Sequence, residues 1–412
     1  MRSFDVPLQY RSPLISGIKN RRKAEDKLKK DFAPAILHIG SLQVTLARHF
    51  GFCYGVENAI EIAFRAVAEN PDKRIFLLGE MIHNPGVNAD LQNMGIRFIM
   101  DTSGKMLVNW YELSPTDIVI IPAFGTTLEI EKQLHELGID PKRYETTCPF
   151  VEKVWNRAGK IGEDGYTIII HGKPGHEETR ATFSHSKAFT PTVVVKDMQQ
   201  AEQLARYIRK ELHEGEFYRD FKGQYSVDFD VTRHLERIGV VNQTTMLASE
   251  TQAIADYLKK EILHYYQTPA GKTAERFADT RDTLCYATND NQGAVINMLQ
   301  AKADFALVIG GYNSSNTSHL VELCEQVLPV YFIRDENCIS DNGDISHYDL
   351  HTKTEQLTQK LISVQNPISI MITSGASCPD ALVERVIERL AKITGNGEAY
   401  DQLCNEWGNN TQ

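Results

Sequence analysis

Residues 305–317 read Phe305-Ala306-Leu307-Val308-Ile309-Gly310-Gly311-Tyr312-Asn313-Ser314-Ser315-Asn316-Thr317. The apolar run at the start of this stretch is typical of a buried strand. The glycine turn and the cluster of Ser and Asn that follow are typical of a helix start. The stretch therefore predicts one strand, one turn and one helix of an α/β fold.

The same order of strand, polar turn and amphipathic helix recurs along the chain. The clearest predicted strands are Arg74–Leu78, Ile118–Ile121, Thr167–Ile170, Ile238–Val241, Phe305–Ile309 and Ile368–Ile372. Alternation of this kind predicts an α/β fold whose parallel sheets are covered by helices. Ligands of open α/β sheets bind in the loops at the carboxyl ends of such strands.

Composition and charge restrict the class of protein. The chain has 412 residues, of which 42% are hydrophobic and 24% charged, so two or three globular domains are expected. The net charge of −10 disfavours nucleic acid as the main partner, because binding a phosphate backbone needs a basic surface. No run of about 18 apolar residues and no signal-peptide core is found. We therefore expect no membrane span and a cytoplasmic location.

Residues 1–43 form a basic N-terminal arm. Lys and Arg are crowded between Lys19 and Lys30, together with Glu25 and Asp26, and no long apolar period is present. We expect an appended segment with some helix, and its charge would suit docking of an acidic partner. A plastid transit peptide is the alternative, with the plastid stroma as location, although such peptides are poor in acidic residues.

Three cysteines lie in separate turns of small residues. They are found in Gly51-Phe52-Cys53-Tyr54-Gly55, in Thr146-Thr147-Cys148-Pro149 and in Thr283-Leu284-Cys285-Tyr286. Such positions lower the pKa of a thiol and expose it. If the three thiolates converge, they supply three of the four ligands of an iron–sulfur cluster and leave one iron for a substrate.

We predict structural roles for most of the remaining cysteines. A lone cysteine after an apolar run is more often a small core residue than a ligand. We assign that role to Cys324, Cys338 and Cys404, and we treat Cys378 as a bystander in a polar loop. An odd number of cysteines without regular spacing also fits a reducing compartment better than a disulfide framework.

Polar loops that follow the predicted strands favour an anionic ligand. They are Glu80–Pro85, Pro122–Thr127, His171–Thr179, Asn242–Thr245, Gly310–Thr317 and Thr373–Asp380. Main-chain N–H groups at helix starts, with Ser or Asn beside them, bind phosphate without a lysine. His83 and His176 could add positive charge when protonated. The alternative is that these Ser, Thr and Asn clusters are ordinary N-caps.

The sequence Gly175-His176-Glu177-Glu178-Thr179 contains a candidate proton donor. Near a buried cluster and substrate, the pKa of Glu178 would rise enough for it to hold a proton at neutral pH. Reductive loss of a hydroxyl needs such a donor. The alternative is an acidic helix start, because carboxylates are favoured in the first turn. No dinucleotide fingerprint, P-loop or Cys-x-x-Cys pair is present.

Taken together, the motifs resemble those of the 4-hydroxy-3-methylbut-2-enyl diphosphate reductases, the IspH/LytB family. The resemblance extends from about residue 44 to about residue 398. The arm, Phe124 and the segment Glu211–Glu236 resemble the cyanobacterial and plant branch of that family. The matching motifs are Gly51–Val56, Ile82–Asn84, Thr147–Pro149, Gly175–Glu178, Asn242–Thr245, Cys285–Thr288, Asn313–Asn316 and Gly375–Asp380.

The resemblance implies a fold and a reaction. The fold is a trefoil of three α/β domains, with small and mostly parallel sheets, around a central 4Fe–4S cluster. The expected segments are an extension at 1–43, α/β domains at 44–147, 148–281 and 282–398, and a tail at 399–412. The reaction removes the hydroxyl of (E)-4-hydroxy-3-methylbut-2-enyl diphosphate and gives isopentenyl and dimethylallyl diphosphate. It is the last step of the methylerythritol phosphate route to isoprenoids.

The resemblance also implies roles for individual residues and partners. Glu178 would deliver protons, while Thr244 and His176 would orient the substrate hydroxyl. Electrons would arrive singly from a ferredoxin or a flavodoxin, and the chain would act as a monomer or a homodimer. The cluster would be held by Cys53, Cys148 and Cys285, and the diphosphate would be bound by His83, Ser314, Ser315, Asn316 and Ser377.

One residue departs from the wider family. Many bacterial members have a histidine where this chain has Phe124. A phenyl ring cannot donate to phosphate, so one contact is absent or is supplied elsewhere.

Two other classes of protein use some of these residues. An iron–sulfur redox sensor or electron carrier would keep the cysteines but has no use for the anion loops or Glu178. A transferase with a cysteine nucleophile would need one Cys beside a His and no iron.

Overall fold

The computed structural model describes residues 4–27, 30–279, 283, 285–362 and 367–408. Its α-helices are α1 (Pro13–Glu25), α2 (Tyr54–Glu69), α3 (Pro85–Asn93), α4 (Leu128–Glu136), α5 (Pro149–Glu163), α6 (Glu177–Lys187), α7 (Met198–Ile208), α8 (Glu214–Asp220), α9 (Val231–His234), α10 (Ala248–Tyr265), α11 (Tyr286–Met298), α12 (Ser315–Glu325), α13 (Asp380–Ile393) and α14 (Gly397–Gly408). Its strands are β1 (Ala35–Ile39), β2 (Leu42–Leu46), β3 (Ile75–Leu77), β4 (Arg97–Phe98), β5 (Ile118–Ile120), β6 (Thr167–His171), β7 (Thr192–Val195), β8 (Ile238–Asn242), β9 (Phe305–Ile309), β10 (Val330–Ile333), β11 (Ile345–Asp349), β12 (Thr354–Thr358) and β13 (Ile368–Ser374).

All six strands predicted from the apolar runs are confirmed, as β3, β5, β6, β8, β9 and β13. Each is buried along most or all of its length, as expected for parallel strands with helices on both faces. The predicted loops follow these strands, and the α/β class is confirmed. The other strands were not predicted, although β7 and β10 are also mostly apolar.

The chain divides into two compact units. The mixed-sheet unit comprises Met1–Glu61, His83–Val87 and Tyr286–Gln412. The parallel-sheet unit comprises Ile62–Ile82 and Asn88–Cys285. The domain boundaries expected at residues 44, 148, 282 and 399 stay predictions.

The mixed-sheet unit is built on one sheet with the described strand order β1-β2-β13-β9-β10-β11-β12. The pairs β2–β13, β13–β9 and β9–β10 are parallel, and the outer pairs are antiparallel. Alternate residues of β9 enter two different cores. Leu307 packs in the core that contains α1, α13 and α14, whereas Val308 packs in the core that contains α11 and α12. The sheet is therefore covered by helices on both faces.

The N-terminal arm is part of this unit. Its helix, expected from the sequence, is α1, and the N-cap hydroxyl of Ser12 accepts a hydrogen bond from the N–H of Ile15. The expectation of an appended segment is corrected, because Leu14, Ile15 and Ile18 are buried in the main core. Strand β1 also lies within the arm and pairs with β2 at the edge of the sheet.

The parallel-sheet unit has strands that pair in the orders β4-β3-β5 and β7-β6-β8, all of them parallel. In the second group, Ile169 of β6 packs with α7 and α10, whereas Ile168 packs with α5. The carboxyl ends of β6 and β8 are aligned, since His171 pairs with Asn242. The loops that follow these two strands therefore start side by side.

Candidate active site

In the mixed-sheet unit, the loops that follow β9 and β13 meet because the two strands are parallel neighbours. The side chain of Asn316 accepts a hydrogen bond from the N–H of Ala376 at 2.8 Å. Gly375 has no room for a side chain, since a Cβ there would lie 2.0 Å from Oγ1 of Thr317. The glycine therefore allows the loop before α13 to lie directly against the first turn of α12.

The first turn of α12 contains the predicted Ser and Asn cluster. Ser314 is the N-cap, and its Oγ accepts hydrogen bonds from the N–H of Thr317 at 3.2 Å and from its hydroxyl at 2.9 Å. The N-cap alternative therefore holds for Ser314. Ser315 and Asn316 are buried in the same turn. A helix start with polar side chains beside its N–H groups is suited to binding an anion.

His83 lies in the same unit and contacts both loops. Its carbonyl oxygen accepts a hydrogen bond from Oγ of Ser377 at 3.1 Å. Its Nδ1 lies 3.3 Å from Nδ2 of Asn313, which can only donate. The Nδ1 atom is therefore an acceptor, and a neutral His83 has its ring proton on Nε2.

All five residues predicted to bind the diphosphate thus belong to one unit. They are His83, Ser314, Ser315, Asn316 and Ser377, and all are buried. Asn313 was quoted in the sequence motif but not assigned a role, and the structure adds it as the partner of His83. Its signal was its place beside Ser314 in a loop that follows a strand.

In the parallel-sheet unit, the side chain of Glu178 is joined to Thr244. Thr244 donates its hydroxyl to Oε2 of Glu178 at 3.0 Å and its N–H to Oε1. Glu178 lies in the first turn of α6 and is only 1% exposed. A carboxylate that served only to stabilise the start of α6 would be exposed to solvent. The burial of Glu178 is therefore not explained by that alternative. A buried carboxyl group in contact with a hydroxyl is a fitting proton donor.

His176 is the N-cap of α6. Its Nδ1 accepts a hydrogen bond from the N–H of Glu178 at 3.1 Å. This contact requires a neutral ring with its proton on Nε2. It differs from the expectation that His176 adds positive charge, because protonation of Nδ1 would remove the capping bond. The ring of Phe124 packs edge-on against His176, with ring centroids 5.5 Å apart.

Gln243 connects the two loops that contain Glu178 and Thr244. It is fully buried, and its Oε1 accepts from the N–H of Lys173 at 3.1 Å and from the hydroxyl of Thr179 at 3.0 Å. Its Nε2 donates to Oγ1 of Thr245 at 2.7 Å. The two hydrogen bonds that Oε1 accepts thus tie this loop to the loop that contains Glu178, and the bond from Nε2 is made within the loop of Gln243 itself. The sequence motif contained Gln243, but no role was assigned to it.

The three cysteines predicted as cluster ligands lie at helix starts. Cys53 directly precedes α2, and its N–H donates to the carbonyl of Ala376 at 3.2 Å. Cys148 is the N-cap of α5, and Cys285 directly precedes α11. Cys53 belongs to the mixed-sheet unit, whereas Cys148 and Cys285 belong to the parallel-sheet unit. The convergence of the three thiols stays a prediction.

The other cysteines have surroundings that suit structural roles. Burial raises the pKa of the Cys324 thiol to about 12 and that of the Cys378 thiol to about 12. Burial also raises the pKa of Cys404. Thiols of this kind stay protonated at neutral pH and are poor ligands. Cys338 is buried, with its Sγ 3.9 Å from the hydroxyl of Tyr312.

Among the residues that the structure describes, no helix has the length and apolar character needed to cross a membrane.

Comparisons with known proteins agree with the sequence motifs. The family model described as LytB protein matches residues 44–391. A 4-hydroxy-3-methylbut-2-enyl diphosphate reductase of Prochlorococcus marinus subsp. pastoris is 36% identical over 403 residues, which is 95% of each chain. The reductase of the same name from Gloeobacter violaceus is 36% identical over 411 residues, again 95% of each chain. That of Synechococcus sp. is 40% identical over 355 residues, or 86% of each chain.

Two solved structures share the fold. One is described as (E)-4-hydroxy-3-methyl-but-2-enyl diphosphate reductase, the terminal enzyme of the non-mevalonate pathway; it is 22% identical, with a TM-score of 0.50, and the match covers 85% of this chain and 99% of that one. The other is the E-1-hydroxy-2-methyl-but-2-enyl-4-diphosphate reductase of Plasmodium falciparum, 19% identical with a TM-score of 0.60, covering 84% of this chain and 87% of that one. At these identities the likeness concerns the fold alone. The match of the family model to residues 44–391 and the full-length similarity to the cyanobacterial reductases show that this chain belongs to the LytB family.

Proposed function

We propose that this protein reduces (E)-4-hydroxy-3-methylbut-2-enyl diphosphate to isopentenyl and dimethylallyl diphosphate, the last step of the methylerythritol phosphate pathway. The observation that best supports this reaction is the buried carboxyl group of Glu178, held by both the hydroxyl and the N–H of Thr244. Loss of a hydroxyl as water consumes two electrons and two protons, so the site needs a proton donor shielded from solvent. A chain of the LytB family with such a donor fits an enzyme better than an electron carrier.

We assign one 4Fe–4S cluster per chain to Cys53, Cys148 and Cys285. Thiolates are the usual ligands of such clusters. Each of the three residues directly precedes a helix, and the positive end of the helix dipole stabilises a thiolate. The donor set therefore fits the cofactor. When bound, the cluster would supply the electrons for cleavage of the C–O bond.

The residues around Glu178 would position the proton. The hydroxyl and N–H of Thr244 are donated to the two oxygens of the carboxyl group, so the orientation of Glu178 is fixed before a proton is transferred. His176 has its Nδ1 occupied by the N–H of Glu178, which leaves Nε2–H as the donor toward the substrate oxygen. Burial of Glu178 and Thr244 excludes bulk water from the proton transfer.

The diphosphate would bind at the start of α12. The N–H groups of the first turn and the side chains of Ser315 and Asn316 are neutral donors. Ser377 would join them by turning its hydroxyl from the carbonyl of His83 to the diphosphate. His83 would add its Nε2–H, because its Nδ1 is used by Asn313. Binding energy from the diphosphate would then orient the reacting end of the substrate.

The electron donor would be a small acidic redox protein, a ferredoxin or a flavodoxin. An odd number of cysteines without regular spacing fits a reducing compartment, and we propose the cytoplasm. The state of assembly, a monomer or a homodimer, stays a prediction.

The proposed function is tested with anaerobically purified protein. We expect a brown protein with about four iron and four sulfide per chain. It should convert the hydroxylated allylic diphosphate into both products when supplied with a strong one-electron reductant. A brown protein without turnover would indicate a sensor or an electron carrier, and colourless, iron-free but active protein would indicate a transferase with a cysteine nucleophile.

The substitution Phe124→His tests whether a phosphate contact is missing. Phe124 packs its ring against His176, and a histidine keeps a ring of similar shape while adding an N–H donor. We expect unchanged fold and iron content and a KM about tenfold lower, as for one added hydrogen bond to a charged group. Phe124→Leu is the control, since it removes the ring without adding a donor. A KM that is unchanged or higher in Phe124→His would show that no contact was missing.

A further inference from the structure

Lys19 lies on α1 of the N-terminal arm, outside the residues 44–391 that the family model matches. Its Nζ is 2.7 Å and 3.0 Å from the two carboxylate oxygens of Asp380 and 2.9 Å from the carbonyl oxygen of Phe50. It also lies 4.5 Å from the centroid of the Phe50 ring. An ammonium group has three hydrogens to donate, and here three acceptor atoms lie within hydrogen-bond distance.

The partners of Lys19 belong to two loops with proposed functions. Phe50 lies three residues before Cys53 in the same turn. Asp380 is the first residue of α13, directly after the loop that contains Ser377. The two loops also touch through their backbones, since the N–H of Cys53 donates to the carbonyl of Ala376. Lys19 therefore holds the Cys53 loop against the start of α13.

The Cys53 loop is shaped around this ion pair. Gly51 has a φ of 81°, a conformation that L side chains rarely adopt. A Cβ at that position would lie 2.3 Å from Oδ1 of Asp380 and 3.0 Å from Nζ of Lys19. The backbone at Gly51 thus lies so close to the Lys19–Asp380 ion pair that a residue with a side chain would collide with it.

We infer that Lys19 is a positioning residue through which the N-terminal arm holds the Cys53 loop in the shape that retains the iron–sulfur cluster. This inference rests on the proposed function. The alternative is an ordinary surface ion pair, because Lys19 and Asp380 are 31% and 20% exposed and such pairs contribute little. The alternative predicts no effect on the retention of iron.

The test is Lys19→Met, which keeps the length of the side chain and removes its charge and donors. Anaerobically reconstituted protein is mixed with an iron chelator, and the rate of iron release is followed together with the electron paramagnetic resonance spectrum of the reduced cluster. We expect release roughly tenfold faster, the lower end of the effect of residues that support metal ligands, and a changed spectrum. Lys19→Arg should release iron more slowly than Lys19→Met.

Lys23→Met is the matched control, because Lys23 is an exposed lysine on the same helix. It should release iron at the wild-type rate. Equal rates for wild type, Lys19→Met and Lys23→Met would overturn the inference, and so would equal acceleration in both variants.

Asp380→Asn keeps the inference testable if circular dichroism shows that Lys19→Met is unfolded. It removes the charge of the partner and should also accelerate iron release, whereas wild-type behaviour would overturn the inference. In folded proteins the two substitutions combined should be less than additive, since they remove the same contact. Wild-type protein that binds no iron would instead contradict the proposed function, so the two failures are distinguishable.

Discussion

Replacing any one of Cys53, Cys148 and Cys285 by serine should abolish binding of the iron–sulfur cluster. Serine is nearly the same size, but its hydroxyl stays protonated at neutral pH and is a poor ligand for iron in such clusters. We expect iron and sulfide to fall from about four per chain to a small residual amount, and turnover to be lost with them. The measurement is iron and sulfide analysis of anaerobically reconstituted protein, with visible absorbance as a second probe.

Cys324→Ser is the control for these three variants. Cys324 is buried in the core of the mixed-sheet unit, and burial raises the pKa of its thiol to about 12. Its loss should leave the iron content unchanged, even if the buried hydroxyl lowers stability. Equal iron content in all four serine variants would refute the assignment of the ligands.

The substitution Glu178→Gln should abolish most of the turnover while the cluster and substrate binding remain. An amide has nearly the same shape, and its oxygen can still accept one hydrogen bond from Thr244, but it has no acidic proton to transfer. We expect kcat to fall by roughly 100- to 10,000-fold, the usual contribution of a positioned acid or base. Steady-state kinetics per bound cluster, with KM measured in parallel, would reveal this.

Glu177→Gln is the matched control, because Glu177 lies in the same first turn of α6 and the substitution removes the same charge. It should retain most of the turnover. A near-normal kcat in Glu178→Gln would remove Glu178 from the proton path. A similar loss in both variants would indicate that the charge of the helix start matters, rather than one donor.

The strand predictions were correct where both faces of the strand are buried, because such a strand is apolar at nearly every position. Phe305–Ile309 is apolar at every position because its residues enter two cores in alternation. The hairpin of β1 and β2 was missed, although Gly40 and Ser41 form a turn of the kind that joins hairpin strands. Its strands contain polar residues, and the partner that makes β2 a buried strand is β13, more than 300 residues later.

The arm was misjudged for a related reason. Three apolar residues in one stretch of α1, Leu14, Ile15 and Ile18, are too few for a long amphipathic period. They are buried only because α13 and α14, near the other end of the chain, cover the same core. The basic residues around them dominated the composition and suggested a separate segment.

The sequence by itself determined which residues are available for the chemistry and that they lie in loops after buried strands. Residue type and local order made Glu178 and the cysteines candidates, and the resemblance to the LytB family added Thr244. Only the tertiary structure decided that Thr244 supplies both donors to Glu178 and that Lys19 reaches the Cys53 loop. These facts depend on contacts between residues far apart in the chain, and such contacts are set by the packing of strands and helices.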